Sequence, residues 1–170
     1  MKPEKVLARR SRKQIIIQGA SKFNSSPKEG LAFLAEQGIL DKDLNPHSVA
    51  KFLKKSSRVS KKIVGEHIAK PQNSETLDAF INLFDFREKR LDEALREMLA
   101  TFRLPGEAQQ IDRIMEYFAK RFFESGPKEV RSSDAAYVLA FSVVMLNTDQ
   151  HNPQVKVSIS FTNETHGRNE

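Results

Sequence analysis

The sequence predicts an all-α fold, a single domain of stacked short helices. Apolar residues recur at spacings of three and four in one segment after another, and capping residues or Gly/Pro breaks separate these segments. No segment before residue 155 has the alternating pattern of a strand. The chain has 170 residues, 39% of them apolar and 12 of them Phe, which is enough for one well-covered core.

The first helix of this pattern lies in SSPKEGLAFLAEQG, residues 25–38. Ser26 is the expected N-cap and Pro27 the first helical residue, since proline is pre-organised for that position. Glu29 is placed to close a capping box with Ser26, and Gly38 is placed to end the helix. Both ends of this helix are therefore predicted from local chemistry alone.

Five further helices follow with the same spacing of apolar residues. Asn45-Pro46 begins the first of them, Ser60 caps the second, and Pro105-Gly106 separates the last two. Their apolar faces are Val49, Phe52 and Leu53; Ile63, Val64 and Ile68; Leu77, Phe80, Ile81 and Phe84; Leu91, Leu95, Met98, Leu99 and Phe102; and Ile111, Ile114, Met115, Phe118 and Phe122. Each face predicts one side of a helix packed on a shared core.

The segment after Ser132 is the most apolar helix, with Ser132 or Ser133 as its cap and Asp134 in its first turn. One apolar stripe consists of Tyr137, Phe141, Val144 and Met145, and a second consists of Leu139, Val143 and Leu146. A helix that is apolar on nearly every side is usually buried inside its domain. The alternative is that one stripe lines a hydrophobic groove that is open to a partner.

Composition excludes several classes of protein. The chain has no Cys, so it forms neither disulfides nor thiolate zinc sites and uses no Cys nucleophile, and we expect a cytosolic protein. Its longest apolar run, residues 135–146, is too short to cross a bilayer. The net charge of +6 is concentrated in residues 1–13 and 51–62, each with six Lys or Arg. These clusters are solvated helix faces or contacts for anionic lipid, while a lack of interleaved aromatics speaks against nucleic acid.

Two stretches carry more than packing information. In FRLPGEAQQIDR, residues 102–113, a Pro-Gly corner stands directly in front of Glu107 and a new helix. An acid in a first helical turn is ordinarily explained by its attraction to unpaired backbone N–H groups. In NTDQHNP, residues 147–153, polar side chains crowd the exit of the most apolar helix, which capping alone does not explain.

Together these stretches resemble the two signature motifs of the Sec-seven domain, the catalytic module of guanine-nucleotide exchange factors for Arf-family GTPases. The resemblance runs from about residue 14 through Lys156 and includes VGEHIAKP and FDFREKRLDEALR. It is closer to the large Golgi, brefeldin-resistance-factor subclass than to the small phosphoinositide-binding one. It implies a basic N-terminal segment 1–13, a catalytic domain 14–156 and a polar tail 157–170. Because the family domain continues for two further helices, the chain is expected to be truncated at its C-terminal end.

The resemblance implies that a groove between the two motifs grips the switch regions of the GTPase. Glu107 would reach the nucleotide site, repel the β-phosphate and compete with the magnesium ion. The partner would be an Arf-family GTPase in its GDP-bound and nucleotide-free forms, and exchange would need no covalent step, cofactor or metal site. The chain would be cytoplasmic and peripheral at Golgi membranes, where its basic N-terminus could make a weak contact with anionic lipid.

The resemblance also assigns roles to individual positions. The GTPase-binding residues are Tyr137, Phe141, Val144 and Met145 on the helix and Asn152 in the loop after it. Two acids, Asp112 and Asp134, make polar contacts to the GTPase or are simply helix-start acids. The inhibitor brefeldin A would contact Phe141, Ser142 and Asp149. Sensitive members of the family tend to have Tyr at the first of these positions, so we expect weak sensitivity or resistance.

Two other functions remain open at this level. A non-catalytic helical adaptor would bind a partner through the same groove, although it would have no use for Glu107. A metal-dependent hydrolase could use Asp149 and His151, but the sequence has no HExxH pattern and no further ligands at metal-binding spacing.

Overall fold

A computed structural model describes the backbone of residues 3–151 and the side chains of residues 8–147. Within this part of the chain all regular structure is helical, which confirms the predicted fold class. The helices are α1 (Pro3–Ser25), α2 (Pro27–Glu36), α3 (Pro46–Lys55), α4 (Lys61–Ile68), α5 (Ser74–Asn82), α6 (Leu91–Leu99), α7 (Ala108–Glu124) and α8 (Ser133–His151), with a 3-10 turn at Pro71–Asn73. α1 packs on α2, α3 on α5, and α7 between α5 and α8.

The spacing of apolar residues does not predict helix α1, since the first helix that it predicts lies in residues 25–38. Helix α1 runs through residue 13 without a break, and the division predicted there stays a prediction. Its last turns pack closely on α2. A Cβ atom added at Gly30 would lie only 2.3 Å from the backbone nitrogen of Phe23. Glycine therefore lets the two helix backbones touch.

The ends of α2 are only partly as predicted. Ser26 is the N-cap and Pro27 the first helical residue, but the expected capping box is wrong because the Ser26 side chain accepts no hydrogen bond from the helix. The helix starts instead with the backbone bond from Gly30 N–H to Ser26 O, at 2.9 Å. Gly38 ends the helix as predicted, with a φ of +67° and its N–H donated to Ala35 O.

Three other caps are confirmed by their hydrogen bonds. Asn45 Oδ1 accepts from the backbone N–H of His47 at 2.9 Å, and Ser60 Oγ accepts from Ile63 at 3.5 Å. Ser132 Oγ accepts from Ala135 at 3.0 Å, so Ser132, and not Ser133, is the cap of α8. Side-chain oxygens at these positions satisfy N–H groups that have no partner inside the helix.

A chain of phenylalanine rings forms the centre of the core. Neighbouring ring centroids are 5.3–5.8 Å apart, a normal spacing for favourable aromatic pairs. The rings are those of Phe102, Phe80, Phe84, Phe86, Phe118 and Phe122. Two of them, Phe84 and Phe102, lie just beyond the ends of α5 and α6, so the predicted apolar stripes extend past the helices that they identify. The core thus holds loops as well as helices in place.

His67 in α4 is a partly buried histidine. Its ring meets the edge of Phe23, with centroids 5.5 Å apart, and Asn73 Nδ2 lies 3.4 Å from its Nδ1. Burial lowers the pKa of His67 from 6.5 to about 4, because the charged form is poorly solvated there.

We predict that this histidine makes the fold less stable in weak acid. A lowered pKa means that the unfolded chain binds the proton first, so stability falls as the pH drops from 6.5 towards 4, by about 3 kcal/mol in total. Chemical denaturation at several pH values measures this slope. His67→Gln should flatten it, while His47→Gln, at an exposed position, should leave it unchanged; equal slopes in all three proteins would contradict the prediction.

Candidate functional site

Glu107 stands alone at the corner before α7. It is the N-cap residue, with extended backbone (φ −87°, ψ 126°), and its side chain forms no capping bond to the helix. The exposed carboxylate instead accepts a hydrogen bond from Gln110 Nε2, at 2.9 Å. Glu107 therefore makes no capping hydrogen bond, although its charge still lies at the end of the helix where the dipole favours an acid.

The Pro-Gly corner in front of Glu107 is a simple bend that the neighbouring residues hold in place. The backbone bends at Gly106 without a hydrogen-bonded turn, and a Cβ there would meet nothing within 4 Å. In the loop before Glu107, Phe102 and Pro105 are buried, and the Arg103 N–H donates to Lys61 O at 3.0 Å. The loop is thus fixed by its contact with α4.

Three half-buried side chains follow one another along α8, at successive turns. The rings of Tyr137 and Phe141 stack with their centroids 5.9 Å apart, and Met145 lies one turn further on. The Tyr137 hydroxyl donates to the Asp112 carboxylate on α7. This bond raises the pKa of Tyr137, since the proton is shared with a negatively charged acceptor. We call Tyr137, Phe141 and Met145 the groove line.

The structure brings only some of the predicted site residues into this line. Val144 is 5% exposed and belongs to the core against which the groove line packs. Asp134 is exposed in the first turn of α8, and the Ser142 hydroxyl donates to Val138 O at 2.7 Å. Asn152 and the side chain of Asp149 lie outside the described residues.

The outer side of α8 is exposed, so this helix is not wholly buried. Ala136 and Ala140 on its inner side are fully buried. The outer residues are 41–64% exposed and are Val138, Leu139, Val143 and Leu146. The second apolar stripe is therefore open, and the interpretation of α8 as a wholly buried helix is wrong for the described part of the chain. Burial requires a neighbouring element on each side, and α8 has α7 and α6 on its inner side.

Two surface clefts lie outside the groove line. A cleft of about 800 Å³ is lined by the charged loop 85–90 and by residues 125–129. A second, of about 470 Å³, lies between α6 and α8 and includes Leu95, Leu99 and Val143. Among the side chains of residues 8–147, no three His, Asp or Glu are placed to hold a metal ion.

Sequence reasoning missed two residues that hold the Glu107 corner, Lys61 and Gly65. In the sequence, Lys61 is one member of the basic cluster 51–62, and Gly65 lies inside the helix predicted from Ser60. A glycine inside a helical pattern often marks a close backbone approach, and here the approaching atom is the Arg103 carbonyl oxygen. That signal was present in the sequence, but its partner was not identifiable from it.

Comparison with known proteins gives consistent similarities. Residues 12–167 match the family model described as the Sec7 domain. The chain is 45% identical over 154 residues to brefeldin A-inhibited guanine nucleotide-exchange protein 2 of Arabidopsis thaliana, covering 89% of this chain and 8% of that protein. It is 40% identical over 153 residues to the Golgi-specific brefeldin A-resistance guanine nucleotide exchange factor 1 homolog of Caenorhabditis elegans, covering 90% and 8%. The chain therefore spans less than a tenth of the length of these two relatives.

A solved structure is similar over most of the chain. It is described as ARF1-GDP bound to Sec7 domain complexed with brefeldin A, with a TM-score of 0.81, 41% identity and coverage of 88% of this chain and 76% of that one. Among the described helices, none is both long enough and apolar enough to span a membrane.

Proposed function

Because this chain belongs to the Sec7 domain family, we propose that it is a guanine-nucleotide exchange factor for an Arf-family small GTPase. The observation that carries the proposal is the exposed Glu107 carboxylate, set on a corner docked against α4 and followed by a helix that packs beside the groove line. Relatives named as exchange factors and a similar domain solved with ARF1-GDP support it. The chain would be a catalyst that makes and breaks no covalent bond.

Glu107 would act by charge. Two like unit charges about 4 Å apart at an effective dielectric near 20 repel each other by roughly 4 kcal/mol. Each 1.4 kcal/mol is tenfold in affinity, so one carboxylate near the β-phosphate could weaken nucleotide binding by nearly three decades. Loss of the magnesium ion and rearranged switch contacts would supply the remainder. Exchange factor and nucleotide would then weaken each other's binding by the same factor.

The groove line would receive apolar side chains of the GTPase switch regions. Its three members are half-buried in the free domain, so a partner that covers them gains apolar burial without rearranging the core. Asp112 would orient the Tyr137 ring through their hydrogen bond, a more specific role than that of a helix-start acid. Asp134 and Asn152 would contact the GTPase at the two ends of α8.

The cellular setting follows from the same relatives. Names that refer to the Golgi and to brefeldin A support a role in vesicle transport, with the chain cytoplasmic and peripheral at Golgi membranes. The exposed Arg9, Arg10, Arg12 and Lys13 of α1 offer a weak contact for anionic lipid.

Release of labelled GDP from several Arf proteins tests the proposal. We expect the purified chain to accelerate release at catalytic concentrations, and we expect the complex to be tightest when nucleotide is absent. Tight binding of the GTPase without faster release would support the non-catalytic adaptor instead. Metal analysis of the purified protein tests the hydrolase alternative independently.

The neighbouring residues Met145 and Val144 provide a matched test of the groove line. Met145→Ala should weaken GTPase binding by about 2 kcal/mol, as for a half-buried contact that becomes fully buried only in the complex, with a smaller change in the melting temperature. Val144→Ala should mainly destabilise the domain, by about 1.5 kcal/mol, because its side chain is already buried. Binding and melting measurements on both variants separate the two roles; a larger loss of melting temperature for Met145→Ala would place that side chain in the core.

Phe141 leads to a prediction about brefeldin A. Tyr at this position in sensitive relatives would supply a hydroxyl that Phe141 lacks, and a lost hydrogen bond costs about 0.5–1.5 kcal/mol, or severalfold in affinity. We therefore expect weak inhibition of the wild type and stronger inhibition of Phe141→Tyr, with Ser142 unchanged as the neighbouring contact. Dose-response curves of GDP release against one Arf protein measure this. Identical curves for the two proteins would rule out the hydroxyl as the deciding feature.

A further inference from the structure

Lys61, the first residue of α4, bonds to both ends of a short segment that leads to the Glu107 corner. Its ammonium donates to the carbonyl oxygen of Ala100, the C-cap of α6, at 2.7 Å. Its own carbonyl accepts from the N–H of Arg103, at 3.0 Å. A cation bonded to the carbonyl end of a helix is favourably placed with respect to the helix dipole. One residue thus ties the end of α6 and the following loop to the start of α4.

Gly65 holds the same loop one turn further along α4. A Cβ atom at this position would lie 1.8 Å from the Arg103 carbonyl oxygen and 3.3 Å from Cδ2 of the Phe102 ring. Only a residue without a side chain lets the loop backbone lie directly on the helix. Phe102 is 1% exposed, and its ring meets that of Phe80 in the core. The segment 100–103 is therefore held by its two hydrogen bonds to Lys61 and by the buried ring of Phe102. We call this arrangement the clamp.

Beyond this clamp little holds the acid itself. Gly106 has open space around it, and the Glu107 carboxylate bonds only to the side chain of Gln110 among the hydrogen bonds of the described residues. The position of the negative charge is then set by the two ends of the corner, the clamped loop on one side and α7 on the other.

We infer that Lys61 is a positioning residue for Glu107, which it holds in place through the clamped segment 100–103. This inference rests on the proposed function, in which Glu107 acts on the nucleotide. The charge acts over a few ångströms, so a retreat of about 1 Å from a 4 Å separation lowers the rate by about fourfold at an effective dielectric near 20. Loss of the ammonium bond to Ala100 O leaves the Lys61 carbonyl in place but should loosen the segment. It should therefore slow nucleotide release and leave binding through the groove line intact.

The neighbour Lys62 makes a matched control, because it is also exposed and its ammonium lies a long 4.0 Å from the Glu66 carboxylate. We compare Lys61→Met, Lys62→Met and Lys61→Arg, which keeps a long cationic donor. In the free domain, amide hydrogen exchange at Arg103 should become at least fivefold faster in Lys61→Met, remain at the wild-type rate in Lys62→Met, and be largely restored in Lys61→Arg. Unchanged exchange at Arg103 in Lys61→Met would overturn the inference, whatever the activity.

GDP release gives the second readout. In Lys61→Met the maximal rate should fall about fourfold while the GTPase concentration at half-maximal rate changes by less than twofold. In a Glu107→Gln background the same substitution should have no further effect, since the residue acts through the carboxylate. An equal loss in both backgrounds, or an equal loss in Lys62→Met, would overturn the positioning role. A wild type that fails to accelerate GDP release would refute the proposed function, and with it the positioning role in exchange, whereas the hydrogen-exchange result would still report whether the clamp exists.

Discussion

Glu107→Lys is expected to abolish nucleotide exchange while leaving the fold intact. The side chain is exposed, makes no capping bond to α7 and has one hydrogen bond, to Gln110, so its replacement removes little structure. At the nucleotide site the reversed charge would attract phosphate instead of repelling it. The altered domain could then hold the nucleotide-bound GTPase in a stalled complex. Stopped-flow release of labelled GDP, with a melting curve of each protein, measures both parts of this prediction.

Two further variants separate charge from reach. Glu107→Gln keeps the size of the side chain and loses the charge, while Glu107→Asp keeps the charge and withdraws it by about one methylene. Both should be poor exchange factors if a negative charge must arrive at one place. GDP release by Glu107→Lys within threefold of the wild-type rate would be incompatible with the role of this residue.

Gly30→Ala is expected to destabilise the fold strongly. The added Cβ would lie 2.3 Å from the backbone nitrogen of Phe23 and 2.4 Å from its Cα, so α1 and α2 would have to separate. Backbone atoms cannot turn aside as a flexible side chain does, and overpacking of this kind costs about 3 kcal/mol or more. For a chain of this size that lowers the melting temperature by at least about 6 °C. Calorimetry or circular dichroism measures it.

Gly106→Ala is the matched control for that substitution. A Cβ at Gly106 meets nothing within 4 Å, and its φ is not in the left-handed region, where only Gly38 and Gly126 lie among the described glycines. We expect its melting temperature to stay the same or rise slightly, because alanine restricts the unfolded chain more than glycine does. Equal destabilisation by both changes would mean that the close approach of α1 to α2 is not the cause.

Much of the fold could be predicted because the helices have local signals. Asn45 and Ser60 cap their helices by bonds within three residues. The periodic apolar faces are buried, except for four members that are half-buried against the core, Phe52, Ile63, Leu99 and Ile111. The apolar pattern does not predict α1, because the first half of this helix is polar and Ile15, Ile16 and Ile17 are consecutive and so lack helical spacing. Its second half packs on α2, a tertiary contact that the local sequence pattern does not encode.

The candidate site was predictable in the same uneven way. Glu107 and Tyr137 stand in motifs that can be read along the chain. Whether Val144 faces the core or the groove depends on the rotation of α8 about its axis, which neighbouring helices decide. The clamp joins Lys61 to Arg103, residues far apart in sequence, so no local pattern encodes it.

The bond between Tyr137 and Asp112 has an optical consequence. The chain contains no Trp and two Tyr, so Tyr117 and Tyr137 dominate its ultraviolet emission over the weakly emitting Phe rings. A phenol that is hydrogen-bonded to a carboxylate emits weakly, because the excited ring passes its proton to the acceptor. We therefore expect Tyr137 to emit more weakly than a tyrosine without such a bond. Any event that separates the Tyr137 hydroxyl from Asp112 should brighten the protein without a label, and Tyr137→Phe would remove that signal.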